Sequence, residues 1–336
     1  MIRDCIEKIV SSRDLIETEM AEAMGEIMED RASPVEVASF LTALRMKGET
    51  IAEVTGAARA MRRRAVLIDA ASNTILDTCG TGGDGSNTFN ISTTTALVAA
   101  GAGLTVAKHG NRSITSRCGS ADLLEGLGVN INAEPAVVEA SVREIGIGFL
   151  FAPQLHPAMR HTVDVRRKMG VRTIFNILGP LINPAGATCQ LLGVYDAELT
   201  EMVAGVLRNL GTRRAFVVHG SDGLDELTLC GETRITELSN GRLKTYNLRC
   251  GDFFKRTYSP EDFRGGDQRT NALITRNVLA GKRGPHRDII MLNAAAALVV
   301  GGMTNDFREG IRMAGEIIDS GVAAKKLHQL VELSNS

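Results

Sequence analysis

The feature that most constrains this chain is a change of hydrophobic pattern near residue 74. Before it, every segment reads as helix. Ser11 to Asp14 sets a hydroxyl three residues ahead of a carboxylate, and Leu15, Met20 and Met24 follow at near-helical spacing. Ser33-Pro34-Val35-Glu36 is a capping box with proline at the first helical position. Phe40, Leu41 and Leu44 then form an apolar face, and Gly48 is a stop. Thr50 to Glu53 opens a further helix that ends in Arg62-Arg63-Arg64, a basic run read as a solvated helix end. After residue 74, short strands alternate with helices. Strands are expected at Ile75–Cys79, Leu104–Ala107, Gly148–Ala152, Leu191–Tyr195, Ala215–His219 and Ile235–Leu238, with helices at Thr93–Ala102, Ala121–Leu127 and Leu199–Leu210. Repeated βα units require a mostly parallel sheet covered by helices. The class is therefore α/β: a small helical domain over residues 1–72, and a large α/β domain over 73–163 and 188–336. The segment from about Arg166 to Gly186 carries Gly179-Pro180-Leu181-Ile182-Asn183-Pro184 and reads as a crossing between domains rather than core, with part of 164–187 packing on the helices. From Asn271 onward the tail is helical.

On such sheets ligands bind beyond the C-terminal ends of the strands. The residues there are unusual. Gly80-Thr81-Gly82-Gly83-Asp84-Gly85 follows the first strand, and no Asp or Glu occurs between Asp84 and Asp122, although acids make up 39 of 336 residues. That same stretch holds Lys108, His109, Arg112 and Arg117. Glycine N–H groups, hydroxyls and cations, with carboxylates kept away, suit a phosphate-bearing ligand. A dinucleotide fold would need an acid at the end of the second strand, where Lys108-His109 stand instead. No lysine follows the glycines as in an NTPase phosphate loop. The loop continues through Asn87-Thr88-Phe89-Asn90-Ile91-Ser92-Thr93, which offers hydroxyls and amides to a sugar and a diphosphate.

Three further groups each have two readings. His109 is a hydrogen-bonded structural histidine or a ligand contact. Asp225-Glu226, in a loop after a strand, is an ordinary acidic turn or a Mg2+ site, since that hard cation takes one or two carboxylates plus phosphate oxygens. Arg166, Arg167 and Lys168 form a solvated helix face or include a clamp for a carboxylate. Cys79 reads as a buried filler.

Composition excludes several classes. The formal net charge is −1, so no basic field favours nucleic acid or an anionic membrane surface. Aromatics are 4% and Trp is absent, which argues against a stacking platform for single strands. The six cysteines form no CxxC pair, which suits a reducing cytosol and signals no zinc site. No signal peptide and no bilayer-spanning run are expected, and Ile289–Met303 reads as a buried helix.

Several blocks in order resemble the anthranilate phosphoribosyltransferases over nearly the whole chain. These are Asp77-Thr78-Cys79-Gly80-Thr81-Gly82-Gly83-Asp84, Thr88-Phe89-Asn90-Ile91-Ser92-Thr93, Lys108-His109-Gly110-Asn111-Arg112-Ser113, Gly119-Ser120-Ala121-Asp122, Thr173-Ile174-Phe175-Asn176-Ile177-Leu178-Gly179-Pro180 and Asp222-Gly223-Leu224-Asp225-Glu226. The resemblance implies a nucleoside phosphorylase/phosphoribosyltransferase type of fold and a cytoplasmic homodimer joined through its helical parts. It implies transfer of a phosphoribosyl group from phosphoribosyl pyrophosphate to anthranilate, in tryptophan biosynthesis. By motif, Gly80, Gly83, Asp84, Thr88, Asn90, Ile91, Ser92, Thr93, Lys108 and Ser120 would hold phosphoribosyl pyrophosphate. Ser92, Asp225 and Glu226 would serve Mg2+. Gly80, Asn111 and Arg166 would meet anthranilate, with His109, Pro153, His156 and Pro180 near its path. No general base is expected. Cys118 stands where that family has a small hydroxyl residue, and Ile114-Thr115 replaces a smaller pair; both bear on loop mobility. Rival readings are a pyrimidine nucleoside phosphorylase, a non-catalytic nucleotide-binding protein of this fold and a nicotinamide-dependent dehydrogenase.

Overall fold

In the computed structural model, which describes residues 1–113 and 117–336, the chain begins with four helices: α1 (Ile2–Val10), α2 (Glu17–Met28), α3 (Pro34–Lys47) and α4 (Ile51–Arg62). Two of their starts follow the capping boxes. Glu36 N–H donates to Ser33 Oγ at 3.3 Å and Ser33 N–H to Glu36 Oε2 at 2.9 Å. Thr50 and Glu53 repeat the exchange at 3.3 and 2.8 Å. The third expected start is displaced. Ser11 closes α1 instead of opening a helix, and α2 begins at Glu17. The acceptor there is Glu19, which takes the Ile16 N–H at 3.0 Å and is anchored by Lys8 at 2.7 Å.

The rest of the chain runs β1 (Ile75–Gly80), α5 (Ile91–Gly101), β2 (Thr105–Gly110), α6 (Ser120–Leu127), α7 (Pro135–Ala140), β3 (Ile147–Phe151), α8 (Ala152–Leu155), α9 (Arg160–Met169), α10 (Phe175–Leu178), β4 (Cys189–Gly193), α11 (Leu199–Asn209), β5 (Arg214–Gly220), β6 (Glu232–Ser239), β7 (Arg242–Arg249), α12 (Gln268–Leu279), α13 (Pro285–Gly301), α14 (Phe307–Asp319) and α15 (Val322–Ser334). The seven strands form one sheet in the order β3-β2-β1-β4-β5-β6-β7, parallel through β5 and antiparallel beyond it. Strand β7 was not anticipated. Its signal is Asn240-Gly241, both at positive φ (51° and 72°), joining it to β6 as a hairpin.

The strands' period-two alternation divides the core. Leu191, Phe216 and Val218 face α5, α12, α13 and α14; Leu192, Ala215 and Val217 face α11 and the helices of the first domain. The stretch from Arg166 to Gly186 departs from expectation. Ile174, Phe175, Ile177, Leu178, Leu181 and Ile182 are buried in the second of these cores. A Gly/Pro-rich run can be buried when side chains meet its carbonyls. Gln190 Nε2 donates to Pro180 O at 2.6 Å, and Arg62 Nε donates to Leu181 O at 2.7 Å. Arg62 is therefore half-buried, while Arg64 reaches back to Glu29, so the basic run at the end of α4 is largely structural rather than solvated. Helix α13 is the expected buried helix, and among the described residues no helix is long and apolar enough to cross a membrane.

Candidate active site at the strand switch

Strand order reverses at β1, whose neighbours are β2 on one side and β4 on the other. This is where open α/β sheets leave a crevice. The loop after β5 bends over it. A Cβ on Gly80, the last residue of β1, would lie 2.3 Å from Asp225 Oδ2; one on Gly193, the last of β4, would lie 1.4 Å from Asp225 O. Only glycines at both strand ends let the acidic loop seat there. The loop after β1 folds through left-handed Gly82 and Gly83 (φ 66° and 73°) and turns Gly82 N–H toward Asp225 Oδ2 at 2.7 Å. Ser92, in the first turn of α5, gives its N–H to Glu226 Oε1 at 3.0 Å.

Lys108 is buried in β2. Its Nζ donates to Thr78 O at 2.6 Å and reaches Ser92 Oγ at 3.5 Å. One cation thus joins β1 to the start of α5 near the Glu226 and Asp77 carboxylates. Burial, and then the Asp84 carboxylate, push Asp225 up to about 7. Burial and Asp225 push Glu226 well above the usual carboxylate range, with Lys108 opposing. Glu226 is buried and Asp225 half-buried; two acids that resist ionisation lack positive charge, and their donors are oxygens, which suits a hard cation. Among the described residues no set of three metal-ligating side chains already converges on a cation position. Such a set is not needed by Mg2+ carried in on phosphate oxygens.

Several residues expected around phosphate are tied to neighbours outside that set. Asn90 Nδ2 donates to Cys118 O at 3.0 Å, and its Oδ1 accepts from Asn271 Nδ2 at 2.9 Å. Thr88 bridges to Arg264, Ile91 is buried, and Thr93 Oγ1 is buried without a partner. Ser120 Oγ donates to Asn111 O at 3.2 Å. The Cys118 thiol is buried; Ile114-Thr115 lies outside the described residues.

The residues expected near anthranilate fall into three places. His109 and His156 are buried with ring centroids 5.1 Å apart, and His109 Nδ1 lies 3.2 Å from Gly179 O, next to Pro180. Burial pushes them down to about 3 and about 4, so both are neutral near pH 7, and both Nε2 atoms are buried without partners. Pro153 lies in the first turn of α8, just after β3. Arg166 stacks over Phe175 at 4.9 Å and makes no ion pair with a carboxylate among the described residues, whereas Arg167 pairs with Asp164 in solvent. Asn111 Oδ1 accepts its neighbour Arg112 N–H at 2.7 Å, and no hydrogen bond joins Asn111 to Arg166.

Three contributors escaped sequence reasoning. Arg172 donates to Gly83 O and lies over the Tyr195 ring at 4.2 Å, so it braces the glycine loop. Asn271 orients Asn90. Asp77 accepts Asn183 Nδ2 at 2.8 Å and His109 N–H at 3.3 Å, and burial raises it to about 6. None carries a local signal, because each partner is distant along the chain.

Comparison with known proteins agrees with this geometry. Residues 3–65 match the model described as "Glycosyl transferase family, helical bundle domain", and residues 72–324 match "Glycosyl transferase family, a/b domain". The chain is 56% identical to the anthranilate phosphoribosyltransferase of Syntrophobacter fumaroxidans, over 100% of this chain and 99% of that one. It is 53% identical to that of Desulfosudis oleivorans, over the same shares. The Thermus thermophilus anthranilate phosphoribosyltransferase structure superposes with TM-score 0.94 at 43% identity, covering 99% of this chain and 100% of that one. The Saccharomyces cerevisiae enzyme in complex with PRPP and Mg superposes at 0.91 with 31% identity, covering 99% and 98%. With its blocks in order, its glycine loop and acidic loop meeting at the strand switch, and relatives matched from end to end, the chain belongs to the anthranilate phosphoribosyltransferase family.

Proposed function

We propose that this chain transfers the phosphoribosyl group of phosphoribosyl pyrophosphate to the amine of anthranilate, giving N-(5-phosphoribosyl)anthranilate and pyrophosphate, in tryptophan biosynthesis. The observation that carries this reading is the Asp225-Glu226 loop seated on Gly80 and Gly193, beside buried Lys108. In this reading Gly80, Gly83, Asp84, Thr88, Asn90, Ile91, Ser92, Thr93, Lys108 and Ser120 line the phosphoribosyl pyrophosphate. Ser92, Asp225 and Glu226 hold Mg2+. When bound, that ion supplies positive charge to the pyrophosphate oxygens.

The bond from the anomeric carbon to pyrophosphate oxygen breaks and its electron pair leaves with pyrophosphate, a bond to the anthranilate nitrogen forms, and that nitrogen gives its proton to solvent. Lys108 and the N–H groups of the glycine loop stabilise charge on the departing pyrophosphate. An aniline nitrogen is neutral at pH 7, so its lone pair is free without a strong base, and orientation supplies much of the rate. Arg166, with no carboxylate of its own, is suited to the anthranilate carboxylate, and Asn111 to the same substrate. Neutral His109 and His156, with Pro153 and Pro180, line the approach and add no competing charge. The same reading makes the chain a cytoplasmic homodimer. Free thiols at Cys5, Cys79, Cys118, Cys189 and Cys230 support the first, and exposed Val10, Ile16, Val35 and Met46 on the helical part support the second.

The test is anthranilate fluorescence followed with phosphoribosyl pyrophosphate and Mg2+, each omitted in turn. Decay that requires the protein and all three components establishes the transfer. No decay, with phosphate-dependent cleavage of thymidine or uridine, would move the assignment to the pyrimidine nucleoside phosphorylases.

A further inference from the structure

Helix α13 carries one uncharged polar side chain in its apolar middle, Asn293, within Ile289-Ile290-Met291-Leu292-Asn293-Ala294-Ala295-Ala296-Ala297. The side chain is fully buried. A carboxamide there is costly unless its hydrogen bonds are made. They are made, and chiefly to one residue. Asn293 Oδ1 accepts the Leu227 N–H at 3.1 Å, and Nδ2 donates to Leu227 O at 3.1 Å and to Ile289 O at 3.0 Å. The amide pairs with the Leu227 backbone as a neighbouring strand would, although Leu227 belongs to no strand.

Leu227 directly follows Asp225-Glu226. Gly220 N–H to Leu224 O and Thr228 N–H to Thr233 Oγ1 tie the loop on either side of that pair. Among the described residues, the hydrogen bonds that reach the pair from the crevice side end on its carboxylates, from Gly82 N–H and Ser92 N–H. Those are the oxygens a cation would claim. The backbone that carries the acids therefore needs an anchor that leaves their oxygens available, and the bond pair from α13 meets that need. We propose that Asn293 is a positioning residue for the divalent-cation acids, fixing the Asp225-Glu226 backbone from behind the sheet. The inference rests on the reading that Asp225 and Glu226 bind the metal.

The experiment is Mn2+ binding with pyrophosphate present and no anthranilate, read by the water-proton relaxation enhancement over a protein-free mixture of the same Mn2+ and pyrophosphate. It compares the unaltered protein with Asn293→Ala, Asn293→Asp and the Asp225→Asn/Glu226→Gln pair, and anthranilate affinity is read separately by fluorescence. Asn293→Asp keeps an acceptor for Leu227 N–H and loses both donated bonds, so it is the variant read if Asn293→Ala does not fold. The Asn293 variants should weaken Mn2+ binding about tenfold while anthranilate affinity stays within about twofold, as expected for a group that orients ligands without touching the metal. Unchanged Mn2+ affinity in the Asn293 variants, with loss in the acid pair, overturns the positioning role alone. Equal weakening of Mn2+ and anthranilate overturns it too, because that is general loosening. Retained Mn2+ affinity in the acid pair overturns the metal reading itself.

Discussion

Helix α13 touches two clusters of buried polar groups that are built on opposite terms. Near its start, buried Arg287 donates to Gly281 O at 3.0 Å, to Gly315 O at 3.3 Å and to both Asp319 oxygens at 2.5 and 2.8 Å. Opposite charges meet, and only Nε lacks a partner. At its middle, α13 backs the acidic loop, where Asp84, Asp225 and Glu226 crowd together with Lys108 as the nearby cation. The hydrogen bond to Arg287 holds Asp319 below the usual carboxylate range, while burial lifts Asp225 and Glu226 above it. The first cluster joins α13 to α14 and is complete without a ligand. The second is left short of positive charge, as a binding site should be.

The sharpest break of this contrast is the pair Asp225→Asn with Glu226→Gln. Turnover should fall by at least about a hundredfold at low Mg2+, with thermal stability equal to or above that of the unaltered protein, because two crowded, poorly ionised carboxyl groups are replaced by neutral amides. Unchanged activity would remove the metal role. Arg287→Ala should do the reverse. A chemical-denaturation curve should show a loss of about 2–4 kcal/mol from stranded carbonyls and lost packing, with kcat of the folded fraction preserved. A stable but slow Arg287→Ala enzyme would mean that the two clusters are coupled through α13.

Arg166 tests a guanidinium left unpaired. Arg166→Ala should raise the KM for anthranilate about ten- to a hundredfold, the value of a charge-assisted contact, and leave that for phosphoribosyl pyrophosphate nearly unchanged. Equal effects on both would sink the carboxylate role. The smallest effect is on pH. Asp225 has a native value above its unfolded one, so its contribution to stability is full below about pH 4 and is lost as pH rises through about 7. Asp319 is shifted the other way and contributes above its unfolded value, losing that only in acid. Buried neutral His109 and His156 oppose this trend up to about pH 6.5, their ordinary unfolded value. In the presence of a chelator the melting temperature should therefore decline between about pH 6.5 and pH 8, and Mg2+ with pyrophosphate should flatten the decline. A melting temperature that rises over that range would show that the acids are not strained in the ligand-free protein.

The pattern change near residue 74, the capping boxes at Ser33 and Thr50, and the glycine loop with its acid-free sequel were legible because each rests on neighbours along the chain. Helical and strand periodicities, caps and turn residues are short-range physics, and together they determined the α/β class and the loops that bear the candidate site. The start of α2 was misread because Ile16 is capped by Glu19 with support from Lys8, a contact between helices. The Gly179–Pro184 run read as a crossing between domains rather than core because it is rich in Gly, Pro and Asn; side chains of Arg62, Gln190 and Asp77 bring it into the core. Strand β7 had its Asn240-Gly241 signal, but its exposed alternating residues lack the apolar run of the inner strands.

By itself the sequence determined which residues could bind phosphate and metal, since that depends on side-chain chemistry and on glycines at strand ends. Only the tertiary structure decided that Asp225 would press on Gly80 and Gly193, that Arg287 would find Asp319, and that Asn293 would hold Leu227. Those pairings span between 32 and 145 residues of chain. No local rule selects them; they are chosen by the order in which seven strands assemble and by the need to satisfy each polar group that the assembly buries.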